Sequence, residues 1–99
     1  MIIVADSSPL HYLVLIDHAD ILEQLYGNVI IPQAVFDELT ATDTPPKVKT
    51  WLSKCPAWLD VQQLAGPADP ALSYLGAGEQ ESIQMAQQLR ADALIIDDK

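Results

Sequence analysis

The chain has 99 residues, of which 49% are hydrophobic and only five are Lys or Arg, and its formal net charge at pH 7 is −9. This length fits a single domain that buries roughly 60–70% of its unfolded surface. The excess of negative charge argues against tight, charge-driven binding of nucleic acid by the chain alone. A nucleic-acid substrate held through bridging metal ions stays compatible with that charge.

The sequence also predicts a cytoplasmic protein without a membrane anchor. No apolar run approaches the ~20 residues that are needed to span a bilayer. Met1 leads directly into a strand-like run, without the basic segment and cleavage site of a signal peptide. The single cysteine, Cys55, excludes an internal disulfide framework.

The first half of the chain alternates short strands and helices. The predicted elements are a strand at 2–5, a helix capped by Ser8 with Pro9 in its first position, a short helix ending at Gly27, a strand at 29–31, and a helix beginning at Pro32. Each strand is an apolar run of three or four residues, which indicates a buried strand.

The second half continues the same alternation. The predicted elements are a helix through Val48 and Leu52 that ends at Pro56, a short strand at 58–61, a long loop at 65–78, a helix at roughly 79–90, and a strand at 93–96. Gly76 and Gly78 are interpreted as part of the flexible loop, since a phosphate-binding loop would need a fuller glycine pattern. The alternation predicts an α/β fold with a central parallel sheet and helices on both faces.

Carboxylates follow two of the predicted strands, and this is the main functional clue. Asp6 comes directly after the first strand, and Asp97 and Asp98 come directly after the last. Ligands of open α/β sheets bind beyond the carboxyl ends of the strands, so these side chains should share one acidic pocket. Such a pocket suits Mg²⁺ or Mn²⁺, which prefer oxygen ligands. Asp6 could instead be only a turn residue or a charge that favours the helix N-terminus.

Two predicted helices contribute further candidate carboxylates. Glu38 lies three residues after Val35, on the apolar side of its helix, whereas its neighbour Asp37 points away. In the later helix, Glu79 is in line with Ile83 on the core face, which favours it over Glu81. The alternative for Glu79 is an acidic residue that merely favours the helix N-terminus.

Four other candidates receive weaker interpretations. Asp97 and Asp98 point to opposite faces if the strand persists, so only one of them can be a direct ligand. His11 and His18 have no partner at ligand spacing and are interpreted as surface or half-buried residues.

Four segments in order resemble the motifs of PIN domains. They are Val4-Ala5-Asp6-Ser7-Ser8-Pro9-Leu10, Val29-Ile30-Ile31-Pro32 followed by Val35 and Glu38-Leu39, Gly78-Glu79-Gln80-Glu81-Ser82-Ile83 with Ala86, and Leu94-Ile95-Ile96-Asp97-Asp98-Lys99. The Gly-Glu-x-Glu and Asp-Asp pairs are most similar to the VapC-like branch of the family.

This resemblance implies a Mg²⁺- or Mn²⁺-dependent ribonuclease, often the toxin of a VapBC-like toxin–antitoxin pair. The implied acidic quartet is Asp6, Glu38, Glu79 and Asp98, with Asp97 as the alternative metal ligand and Ser8 as the supporting hydroxyl. The implied partners are an RNA substrate and a cognate antitoxin. Family members continue through another helix and strand, so we expect one PIN-like domain, incomplete at its C-terminus, over residues 1–99.

Two alternatives stay open at this point. A catalytically inactive PIN-like module would serve only for binding or dimerisation, and a receiver-type phosphoacceptor would also use clustered aspartates.

The apolar strand at 93–96 has no predicted helix after it, so its edge should pair with another chain. We therefore expect a homodimer.

Overall fold

The computed structural model of the protein describes residues 1–96 and contains four strands. In chain order the elements are β1 (Ile3–Ala5), α1 (Ser7–Leu15), α2 (Ile21–Tyr26), β2 (Val29–Pro32), α3 (Gln33–Leu39), α4 (Pro46–Ser53), β3 (Leu59–Gln62), a 3₁₀ turn (Pro70–Leu72), α5 (Ala77–Leu89) and β4 (Ala93–Ile95). The predicted order of strands and helices is therefore confirmed.

All strand pairs are parallel, and the order across the sheet is β3-β2-β1-β4. The register aligns Ala5 with Ile95, so the ends of the first and last strands lie side by side. The Asp6 amide extends this ladder by donating to the Ile95 carbonyl at 2.9 Å. β4 is consequently an edge strand of the described sheet.

The two faces of the sheet pack against different helices. Ile3, Ala5 and Ile31 belong to the main core, together with buried residues of α1 to α4. Val4 is fully buried but lies outside that cluster, since side chains alternate between the faces of a strand. α5 packs against β1, β2 and β4, and its buried Met85 lies outside that cluster like Val4, which places α5 on the Val4 face. The predicted α/β fold with helices on both faces is confirmed.

Local details differ from the prediction at two helix starts. Asp6, not Ser8, occupies the N-cap of α1, with an extended backbone (φ −85°, ψ 172°), and the helix starts at Ser7. Pro9 is thus the third helical residue. The helix begins two residues before Pro9, and this is possible because a proline is tolerated anywhere in the first turn of a helix.

The other difference concerns α5, which begins at Ala77 instead of Glu79. Gly76 is its exposed N-cap and precedes the helix, whereas Gly78 lies buried in the first turn, so the interpretation as a loop residue was wrong for Gly78. None of the helices within residues 1–96 is long and apolar enough to cross a membrane.

Candidate functional site

Asp6 is the buried carboxylate at the centre of the candidate site. It follows β1 directly, and only 7% of its surface is exposed. Burial raises the pKa of Asp6 above its ordinary value of 3.8, and the negative charge of Glu38 raises it further. Hydrogen bonds from the Ser7 amide and the Ser82 hydroxyl oppose this increase of the pKa. Asp6 is therefore a carboxylate whose charge is poorly solvated and lies beside a second acid.

Glu38 reaches the same place from α3, and donors from two other helices hold it. The Ser7 hydroxyl of α1 donates to its Oε2 at 2.8 Å, and the Gly78 amide of α5 donates to its Oε1 at 2.7 Å. The amide also lies at a helix N-terminus, where the macrodipole favours negative charge. We call these three residues the Glu38 clamp, because the two bonds fix the carboxylate at the junction of α1, α3 and α5.

Gly78 is needed for this close approach. A Cβ at position 78 would contact Glu38 Oε1 and would lie 2.7 Å from Cδ and 2.8 Å from Oε2 of the same carboxylate. Any residue other than glycine would therefore displace Glu38 or the start of α5. Asp37, the rival of Glu38, is exposed and accepts a hydrogen bond from Gln33 at 2.9 Å instead.

Ser82 lies one helical turn beyond Gly78 and supports the buried acid. Its hydroxyl is fully buried, lies 3.5 Å from Asp6 Oδ1, and donates to the Gly78 carbonyl at 2.7 Å. The same hydroxyl hydrogen can serve only one acceptor at a time. The bond to Gly78 is the shorter one, so the Ser82 hydroxyl bonds Asp6 only weakly and part of the acceptor capacity of Asp6 stays free for another ligand.

The two acids of the Gly-Glu-x-Glu segment have different positions. Glu79 is half-buried in the first turn of α5. Glu81 accepts a hydrogen bond from the Ala34 amide at 3.2 Å, at the N-terminus of α3. Glu81 therefore joins α5 to α3, and its carboxylate is engaged in a structural contact.

The remaining predicted residues are not all brought to this site. Ser8 lines a separate cleft with Pro9, Tyr12 and Leu13, so the hydroxyl that bonds Glu38 is that of Ser7. Asp97 and Asp98 lie outside the described residues. Within residues 1–96, the structure contains no group of three or more His, Cys, Asp or Glu side chains that could hold a metal ion.

The oxygen atoms of Asp6 and Glu38 nonetheless suit a hard divalent cation as ligands. Asp6 and Glu38 are both oxygen ligands, they repel each other electrostatically, and Asp6 has spare acceptor capacity in a buried position. A cation would relieve that repulsion. Two carboxylates alone make a weak site, so a metal ion would need further oxygen ligands.

A cleft of about 330 Å³ adjoins Glu38 on the side of α1 and the segment after α3. Its lining residues are Ser7, His11, Glu38, Leu39, Ala41, Asp43, Thr44 and Pro45. Sequence reasoning missed His11 here. The available signal was its spacing, because His11 is four residues after Ser7 and shares that face of α1.

Comparison with known protein families identifies the family of the chain. A family model described as a PIN domain matches residues 2–99. No curated protein and no solved structure shows significant similarity to the chain. PIN domains are generally nucleases that use divalent metal ions.

Proposed function

The chain belongs to the PIN-domain family, and on this basis we propose that it is a Mg²⁺- or Mn²⁺-dependent endoribonuclease that hydrolyses RNA phosphodiester bonds. The observation that carries the proposal is the buried Asp6 beside the clamped Glu38 at the carboxyl ends of the strands. This is the position at which open α/β sheets bind their ligands.

Asp6 and Glu38 would hold the metal ion, together with Glu79 and with Asp98 or Asp97. The ion would supply Lewis-acid activation of water and neutralisation of phosphate charge. The contribution of the chain is positioning: the Ser7 hydroxyl and the Gly78 amide keep Glu38 in one orientation before any ligand arrives. A carboxylate has about four lone-pair sites, so Glu38 can accept both bonds and still bind a cation.

We further propose that the protein is the toxin of a VapBC-like pair, that a cognate antitoxin binds it, and that it forms a homodimer. The support is the family membership together with the position of β4 at the edge of the described sheet. Co-expression with the product of a small neighbouring gene should restore growth to cells that the protein inhibits. Growth inhibition that no neighbouring gene relieves would contradict the toxin role.

Cleavage of single-stranded RNA by the full chain with Mn²⁺ tests the nuclease proposal. We expect Asp6→Asn and Glu38→Gln to reduce cleavage by at least 100-fold, whereas Asp37→Asn, the matched control on the exposed side of α3, should leave it unchanged. Cleavage that survives EDTA, or that Asp6→Asn leaves intact, would refute the assignment.

A catalytically inactive binding module is the second candidate. It is favoured by one observation: protein donors already bond both oxygens of Glu38, as expected for a carboxylate with a purely structural role. Calorimetric titration with Mn²⁺ separates the two candidates. Binding that depends on Asp6 supports the nuclease, and no binding at millimolar Mn²⁺ supports the inactive module.

A further inference from the structure

The cleft beside Glu38 has a wall that is fixed before any ligand binds. The turn after α3 is held by the Thr44 hydroxyl, which donates to the Glu38 carbonyl at 2.9 Å, and by the Thr44 amide, which donates to the Ala41 carbonyl at 3.0 Å. Lys49 donates to the Thr42 carbonyl at 3.0 Å from the outside. The cleft is therefore a preformed concavity, which is the usual character of a small-molecule site.

The lining of the cleft selects against a phosphate group. Glu38 and Asp43 are the charged residues of the lining, and no Lys or Arg side chain contributes to it among the described residues. Leu39 and Pro45 supply apolar walls, and His11 supplies a half-buried aromatic ring. These are the properties of a site for a neutral, planar group that carries hydrogen-bond donors, because carboxylates accept and aromatic rings stack.

The size and the position of the cleft narrow the ligand further. A volume of about 330 Å³ lies near the lower end of the range for small-molecule pockets, ~300–1,000 Å³, so the size of the cleft suits a ligand such as one nucleoside. It shares Ser7 and Glu38 with the candidate metal site. A ligand in the cleft therefore lies directly next to whatever phosphate that site would bind.

We propose that this cleft is a nucleoside subsite, in which His11 stacks on an unpaired base of the RNA and Asp43 accepts hydrogen bonds from its edge. The inference rests on the proposed nuclease function and adds a determinant of base preference. Guanine should be favoured, since it alone presents two adjacent N–H donors, N1 and N2, to a carboxylate. Uracil presents one such donor and should bind more weakly.

Guanosine itself, without phosphate, is the probe that separates this inference from the nuclease proposal. Saturation-transfer NMR with the full chain in EDTA should show contact to the guanosine base, with weaker contact to uridine. His11→Ala should abolish the signal and His11→Phe should retain it, because phenylalanine preserves the stacking surface. His18→Ala is the matched control, since His18 is exposed and lies outside the cleft.

Kinetics provide the second readout. With RNA oligonucleotides that differ only in the base next to the cleaved bond, His11→Ala should raise KM about tenfold for guanine, the size expected for loss of one stacked base, and should leave kcat unchanged. Asp43→Asn should reduce the preference for guanine over uracil.

The two proposals fail in different ways. Binding of guanosine in EDTA that depends on His11, without any RNA cleavage, would uphold the subsite and remove the nuclease function. RNA cleavage whose KM is indifferent to His11, to Asp43 and to the base would overturn the subsite and leave the nuclease intact.

Discussion

Substitution of Gly78 by alanine should break the Glu38 clamp with little other damage. The new Cβ would lie within 2.8 Å of the Glu38 carboxylate, and the exposed end of Glu38 would swing away from its two donors. Hydrogen bonds to charged groups contribute about 1.5–3 kcal/mol each, and the low end applies because Glu38 is exposed. Loss of the two bonds therefore lowers the free energy of unfolding by about 3 kcal/mol, whereas replacing a helical Gly by Ala raises it by about 1 kcal/mol. We expect Gly78→Ala to lower the free energy of unfolding by about 2 kcal/mol, measured by urea denaturation.

The control variants isolate the clamp from the backbone. Gly76→Ala should change the free energy of unfolding by less than about 0.5 kcal/mol, because a Cβ there meets no atom within 4 Å and the loss of a tolerated N-cap Gly is offset by a stiffer unfolded chain. In a Glu38→Ala background, Gly78→Ala should become neutral or stabilising, which gives an interaction energy of about 2–3 kcal/mol. Equal effects of Gly78→Ala in both backgrounds would refute the reasoning.

Three further outcomes follow from Asp6 and its surroundings. Because the pKa of Asp6 is raised in the folded chain, protonation of Asp6 stabilises the fold. In EDTA this contribution to stability should be complete below the unfolded pKa near 3.8 and should be lost as the pH rises through the raised pKa. The dependence of unfolding on pH in Asp6→Asn should lack this change. Mn²⁺ at a hundred times its Kd should add about 2.7 kcal/mol to the free energy of unfolding, which raises Tm by about 10–20 °C. An equal rise of Tm in Asp6→Asn would contradict metal binding at this site. Ser7→Ala should reduce the free energy of unfolding by about 1.5 kcal/mol through loss of its bond to Glu38, whereas Ser8→Ala should have a smaller effect in the same assay.

The fold followed from the sequence because its signals are local and strong. Apolar runs of three or four residues became β1, β2 and β4, and Gly27, with φ of 78°, ends α2 as the turn pattern indicates. Local sequence signals did not predict the residue at which α5 begins. The Gly76-Ala77-Gly78 segment is typical of a loop by composition, and the close approach of Gly78 to Glu38 is a tertiary contact that local sequence does not reveal.

The sequence predicted the acidic residues of the candidate site but not the serines that form hydrogen bonds with them. Asp6 and Glu38 were found because a carboxylate at a strand end or on an apolar helix border is unusual. Ser7 and Ser82 were missed because a serine hydroxyl can turn to many acceptors, and its choice depends on distances of a few tenths of an ångström. The choice of Glu79 over Glu81, and of Asp98 over Asp97, stays a prediction.

The pairing of β1 with β4 has a consequence for how the protein is made. The first strand is synthesised well before its partner on one side, residues 93–95, which follows nearly ninety residues later. At bacterial-like elongation rates of about 5–20 residues per second, the interval is on the order of ten seconds. During that time Asp6 has no Ile95 carbonyl to bond, so the nascent chain carries an open strand edge and an unassembled site. A chaperone or a partner that pairs with that edge would therefore act before the candidate site is assembled.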